Sequence, residues 1–216
     1  MKKRIWSGLI WLLLAALPAL PADTSALRPP KGAKVALVIF EDLQCPDCAR
    51  AAPLVEEAAR TYKIPLVRHD FPLPKHNWSF DAAVLARYFD AKSKKLGEDF
   101  RTFVFQHQPE ITPENLHGFA EKFANEHQTE LPFVVDPNGQ LTAKVKADFN
   151  LGQRVGIEHT PTLYVVSNRT TGQPFVEVVD RTQLFSMIDQ MKREAGDTRI
   201  QSTPNARPQK KAAVQR

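Results

Sequence analysis

Val35-Ala36-Leu37-Val38-Ile39-Phe40-Glu41-Asp42-Leu43-Gln44-Cys45-Pro46-Asp47-Cys48-Ala49-Arg50-Ala51-Ala52 decides how the rest of the chain reads. Lys34 to Phe40 is almost wholly apolar and partly β-branched, which predicts a strand buried on both faces. Pro46 to Tyr62 repeats Ala49, Ala52, Val55, Ala59 and Tyr62 at helical spacing, with Pro46 suited to a first helical position that needs no N–H. Pro53 inside that helix is expected to kink it or free a carbonyl. Cys45 and Cys48 are the chain's only cysteines, and they sit at the strand-to-helix junction. Residues i and i+3 of a first turn share a face, so their sulfurs are within bonding reach. The unpaired N–H groups and partial positive charge of the helix start favour a thiolate. This is the layout of a dithiol/disulfide redox centre.

The pair has two other readings. Zinc needs about four protein ligands, and the six histidines (His69, His76, His107, His117, His127 and His159) are scattered without an H-x3–5-H pair. No metal is expected. A structural staple is the other reading, but so short a loop gains little closure entropy.

Met1-Lys2-Lys3-Arg4, the apolar stretch from Ile5 to Leu17, and Pro18-Ala19-Leu20-Pro21-Ala22 follow the order of a secretory signal peptide. Residues 1–22 are therefore read as a signal peptide, or as a retained N-terminal anchor, although the apolar stretch is short for a bilayer span. Either way the folded part is expected to be extracytoplasmic, in a compartment such as a periplasm where disulfide chemistry is permitted. The net charge of +5 suggests an anionic partner only until it is divided. Residues 1–22 carry +3 and residues 196–216 carry +4, which leaves −2 on 23–195. The body offers no basic surface for nucleic acid. The tail, with Pro204 and Pro208 among polar residues, reads as disordered.

Residues 23–33 form a leader with Pro29 and Pro30, and the domain proper is assigned to 34–195. Ile64 to Arg68 is a second strand, parallel to the first across the helix. From about 79 to 150 the periods are helical: Ala82 to Phe89, Phe100 to His107, a helix opened by Thr112 as N-cap with Pro113 next, and Thr142 to Asn150. Thr162 to Val166 and Phe175 to Val179 predict a hairpin, and Arg181 to Glu194 a closing amphipathic helix.

The predicted class is α/β: a βαβ unit, a helical insertion, then ββα. With Cys45-Pro46-Asp47-Cys48, Phe71-Pro72-Leu73 followed by His76, and Thr160-Pro161-Thr162, this order resembles the DsbA-like thioredoxin-fold thiol-disulfide oxidoreductases. The resemblance spans most of 34–195. It implies that Cys45 is the nucleophile and Cys48 the resolving thiol. It implies a cis Pro161 beside them, with Thr160 and Pro161 framing the backbone of a protein substrate. The dithiol itself serves as redox cofactor, and a membrane redox partner is implied. No residues remain for a dimerisation domain, so a monomer is expected.

Two departures from the family pattern bear on chemistry. His159 stands where the family has glycine, either titrating beside the thiolate or facing solvent. Asp47 stands where strongly oxidising members have histidine, and its carboxylate is expected to disfavour a nearby thiolate and weaken the oxidant. Glu41 and Asp42 are read as solvated loop acids rather than proton acceptors. His69, His76 and Trp78 are assigned to packing and turn geometry. Two alternatives to oxidation stay open. One is a reductase or isomerase with reversed electron flow; the other is a non-enzymatic peptide-binding module.

Overall fold

The computed structural model describes residues 23–197. The expected signal peptide or anchor and all but the first two residues of the basic tail lie outside the described residues. Among the described residues no helix is long and apolar enough to cross a membrane. The elements are β1 (Val35–Glu41), α1 (Pro46–Tyr62), β2 (Leu66–Asp70), α2 (Ser79–Lys92), α3 (Lys94–His107), α4 (Leu116–Glu126), α5 (Gln140–Val155), β3 (Thr162–Ser167), β4 (Phe175–Glu177) and α6 (Leu184–Glu194). The sheet order is β2-β1-β3-β4. β1 runs parallel to β2 and antiparallel to β3, and β4 is antiparallel to β3.

Every residue of β1 is buried, as its unbroken apolar run requires. Alternation along the strand divides the core in two. Val35, Leu37 and Ile39 face Val55 and Ala58 of α1 and Leu184, Ile188 and Met191 of α6. Ala36, Val38 and Phe40 face the other way, toward Phe71, Val155 and Ile157. Each such large side chain contributes about 1.5–3 kcal/mol of burial. On that second face, α5 passes so close that a Cβ on Gly152 would lie 2.5 Å from the Phe71 ring.

A third core joins α2, α3 and α4 through Phe89, Phe100, Phe103 and Phe123, and it includes Leu43, Cys45 and Cys48. The cysteine pair therefore lies on the seam between the sheet body and the helical block. The free edge of β2 is closed by side chains: Arg87 donates to the Arg68 carbonyl oxygen at 3.4 Å, and the Asp70 N–H donates to Asp148 at 3.2 Å. Side-chain bonds to these two edge groups hinder pairing with another strand there.

Several boundaries differ from expectation for local reasons. β2 begins at Leu66, because Lys63 closes α1 in the left-handed region and Ile64 is spent bonding back to Ala59. The fourth helix starts at Leu116, not beside Thr112. Asn115 accepts from the Thr112 N–H at 2.7 Å and donates to the Glu110 carbonyl at 2.8 Å, which turns Thr112–Asn115 into a separate turn. α5 begins two residues early, with Asp136 accepting from the Leu141 and Thr142 N–H groups, and it runs on to Val155. The helix read from Arg181 opens with a 3-10 turn, Arg181–Gln183, before α6. The chain stays packed past Glu194: the Asp197 N–H donates to the Lys192 carbonyl oxygen at 2.9 Å, and the buried Lys192 ammonium lies 3.3 Å from Asp197.

Candidate active site

Cys45 occupies the N-cap of α1, with Pro46 and Asp47 at the next two positions and Cys48 in the first turn. Both cysteines are free thiols. Cys45 keeps 7% of its surface and Cys48 only 1%, so an incoming group meets Cys45 first. The Cys45 thiol donates to the Thr160 carbonyl oxygen at 3.3 Å. The Thr160–Pro161 bond is cis. Thr160 and the cysteine pair, distant in sequence, are thus brought together, and Pro161 follows directly.

The two sulfurs differ in acidity. The Cys45 pKa is pulled down from 9.0 to about 5. A hydrogen bond from the Cys48 thiol is the largest cause, and the Thr160 side chain and the backbone N–H groups of Cys48 and Asp47 add to it against the cost of burial. Cys48 is pushed the other way, by burial first and then by its partner's negative charge. One proton is therefore shared between the more accessible Cys45 and the more deeply buried Cys48. The Asp42 N–H donates to the Cys48 sulfur at 3.4 Å.

Glu41 and Asp42 are not solvated loop acids. Glu41 is 2% exposed and Asp42 1%. Glu41 ends the inward pattern of β1 and is held by Arg68 at 2.7 Å, with Arg101 at 3.6 Å. Asp42 is the knot of the loop before the cysteines. Its carboxylate accepts from the Gln44 and Leu73 N–H groups at 2.7 Å each, from His76 Nδ1 at 2.7 Å, and from the Ser79 hydroxyl. The run Phe71-Pro72-Leu73 with His76 thus contributes a clamp on the cysteine loop. His69 bonds Asp148 at 2.7 Å, and Trp78 packs beside the cysteines in the helical core.

Asp47 behaves unlike a free carboxylate. Arg181 Nη2 donates to its Oδ1 at 2.8 Å and Arg50 at 3.0 Å, and the Arg181 bond is the main reason its own pKa is lowered. Pro46 is exposed at the helix start. His159 is also exposed, its carbonyl accepting from the Thr162 hydroxyl at 2.7 Å. His159, Pro161, Asp47 and Arg181 rim a groove of about 360 Å³ floored by apolar residues that include Ile39, Val55 and Leu163. Val179, on the same groove, is 87% exposed.

Two contributors had no mark in the sequence. Arg181 is 134 residues from Asp47. Gln108, at the end of α3, donates to the Leu43 and Cys45 carbonyl oxygens at 2.7 and 3.1 Å, tying the helical block to the cysteine loop. Glu41 continues the fully buried run of β1, a local sign of burial, while the groups that compensate Glu41 and Asp42 come from other elements.

Residues 29–181 match the thioredoxin family. Among solved structures, the chain is similar to alpha-DsbA1 of Wolbachia pipientis (17% identity, TM-score 0.62, covering 78% of this chain and 90% of that one). It is also similar to DsbA2 of Pseudomonas aeruginosa (22% identity, TM-score 0.56, covering 82% and 98%). At these identities the likeness establishes the fold. A curated relative is a Na(+)/H(+) antiporter, NhaA 1, of Salinispora arenicola: 26% identical over 174 residues, 80% of this chain and 26% of that protein. The chain spans about a quarter of the length of the curated relatives it matches.

Proposed function

The chain belongs to the thioredoxin family, in the DsbA-like form of its fold, and on that premise we propose that it is a thiol-disulfide oxidoreductase acting on protein thiols. The observation that carries this is the asymmetric cysteine pair: a low-pKa Cys45 at a helix start, facing Thr160, backed by a buried high-pKa Cys48. In the oxidised protein a substrate thiolate attacks Cys45 of the Cys45–Cys48 disulfide and forms a mixed disulfide, releasing Cys48 as thiolate. A second substrate thiol then attacks the substrate sulfur. The substrate leaves as a disulfide, and the protein is left as the dithiol with two electrons and the protons that charge balance requires.

Thiolate stabilisation favours the dithiol form and makes its disulfide a better oxidant, which supports donation of disulfides over the reductase or isomerase direction. The Asp47 carboxylate, expected from sequence to oppose this, is neutralised by arginines. Reoxidation then needs an external electron acceptor, which we assign to a membrane redox partner. An extracytoplasmic location, delivered by residues 1–22, fits this direction, as does action by a monomer. Thr160 and Pro161 line the approach of the substrate backbone, while Pro46, Asp47 and His159 modulate the thiolate. A binding module with an inert cysteine staple is the competing reading, and it has no use for the acid–base asymmetry.

The test is disulfide exchange with a reduced, unfolded protein. The oxidised chain should form substrate disulfides and Cys45→Ser should abolish turnover; Cys48→Ser, given instead a disulfide-bonded substrate protein, should accumulate mixed disulfides through Cys45 as that substrate's other sulfur leaves as thiolate. Absence of exchange by the unaltered oxidised chain would sink the proposal.

A further inference from the structure

We propose that Arg181 is a positioning residue for the redox centre, holding the Asp47 carboxylate clear of the first-turn N–H groups that the Cys45 sulfur uses. The inference deepens the oxidoreductase reading and rests on it.

The first turn of α1 has few donors to share. Pro46, at the first helical position, has no N–H. The nearest free donors are the N–H groups of Asp47 and Cys48, the same two that favour the Cys45 thiolate. A carboxylate within the first turn is itself an apt acceptor for such groups and is drawn to the positive end of the helix. Asp47 therefore competes with the sulfur for one pair of donors unless something turns it away.

Arg181 does so. Its Nη2 donates to Asp47 Oδ1 at 2.8 Å, and its Nη1 reaches the Asp47 carbonyl oxygen at 3.4 Å. The guanidinium thus grips both the side chain and the backbone of one residue. It is anchored in the 3-10 turn between β4 and α6, and Asp180 caps that turn by accepting from the Thr182 N–H at 2.9 Å and the Thr182 hydroxyl at 2.7 Å. Arg50 also reaches Asp47 Oδ1, at 3.0 Å, but its side chain is 67% exposed against 36% for Arg181, so solvent screens it more. The last ββα unit of the fold is in this way coupled to the cysteine helix.

The experiment uses the full chain in four forms: unaltered, Arg181→Gln, Asp47→Asn and the double variant. The readouts are the Cys45 thiolate absorbance titration and the reduction potential, with melting temperature as a check on folding. Arg181→Gln should lower the thiolate-to-thiol ratio at fixed pH by roughly three- to tenfold. In the Asp47→Asn background the same change should have less than half that effect on a logarithmic scale. Arg181→Lys should restore part of the loss. Equal shifts in both backgrounds would mean that Arg181 is only a distant positive charge, and would overturn the inference. No response to Arg181→Gln, with an unaltered-chain thiolate near pH 5, would overturn it alone. A Cys45 that titrates like an ordinary thiol in the unaltered chain would overturn the oxidoreductase reading and this inference with it.

Discussion

The Cys45 sulfur lies 3.3 Å from the carbonyl oxygen of Thr160, a residue 115 positions later in the chain. That contact joins the βαβ half, which carries Cys45, to the ββα half, which carries Thr160. It forms because β3, the strand that Thr160 enters, pairs antiparallel with β1, the strand that ends just before Cys45: Phe40 stands opposite Thr162. Sheet register brings Thr160 to the cysteine pair, whose own placement is set locally at the start of α1.

The pH dependence follows from the two thiols. Cys45, with a pKa of about 5, should be alkylated by iodoacetamide at half its maximal rate near pH 5. The reduction potential should fall by about 59 mV per pH unit below that point, where two protons accompany two electrons, and by about 30 mV above it, where one does. The same shift bears on stability. The folded dithiol's Cys45 pKa lies below its unfolded value. Its contribution is full near pH 9 and is lost as the pH falls through about 5. Cys48, shifted upward, costs stability only above its ordinary range. Denaturation of reduced and oxidised protein from pH 4 to 8 should show the reduced form gaining relative stability as pH rises. A flat difference would contradict the assignment.

Asp42→Ala should unfold the loop's support. It strands the Gln44 and Leu73 N–H groups, the Ser79 hydroxyl and His76, all in a largely buried setting. A loss of about 2–4 kcal/mol in denaturant stability is expected. A change below about 1 kcal/mol would mean that water replaces these bonds without penalty.

Asp197→Ala should destabilise the end of the domain by roughly 3 kcal/mol, because it removes the acid beside an ammonium, Lys192, that is 1% exposed. Asp197→Glu should recover part of that loss. Removing residues 198–216, whose composition predicts no core, should leave the unfolding midpoint unchanged. An equal fall for the truncated chain and for Asp197→Ala would show that the packed domain extends beyond Asp197.

Periodicity and junctions carried most of the architecture. The two-sided apolar run of β1, the helical spacing after Cys45, and the block of helical periods from residue 79 were enough to predict an α/β chain with an inserted helical block. They were enough because local hydrophobic pattern dictates which face of an element must leave water. The cysteine pair was legible for the same reason: its spacing and its position at a helix start are local facts. The misread positions were those where a nonlocal partner decides. Thr112 is the local exception: Asn115, three residues on, accepts its N–H and closes a separate turn in place of a helix cap. Glu41 and Asp42 looked like loop acids because their compensating groups, Arg68, Arg101, His76 and the Leu73 N–H, come from other elements. Asp47 looked like a charge opposed to the thiolate because Arg181 is distant in sequence. A carboxylate's effect depends on the charges and donors within a few ångströms of it. Sequence determines which residue types those are, and only the folded chain determines which of them arrive.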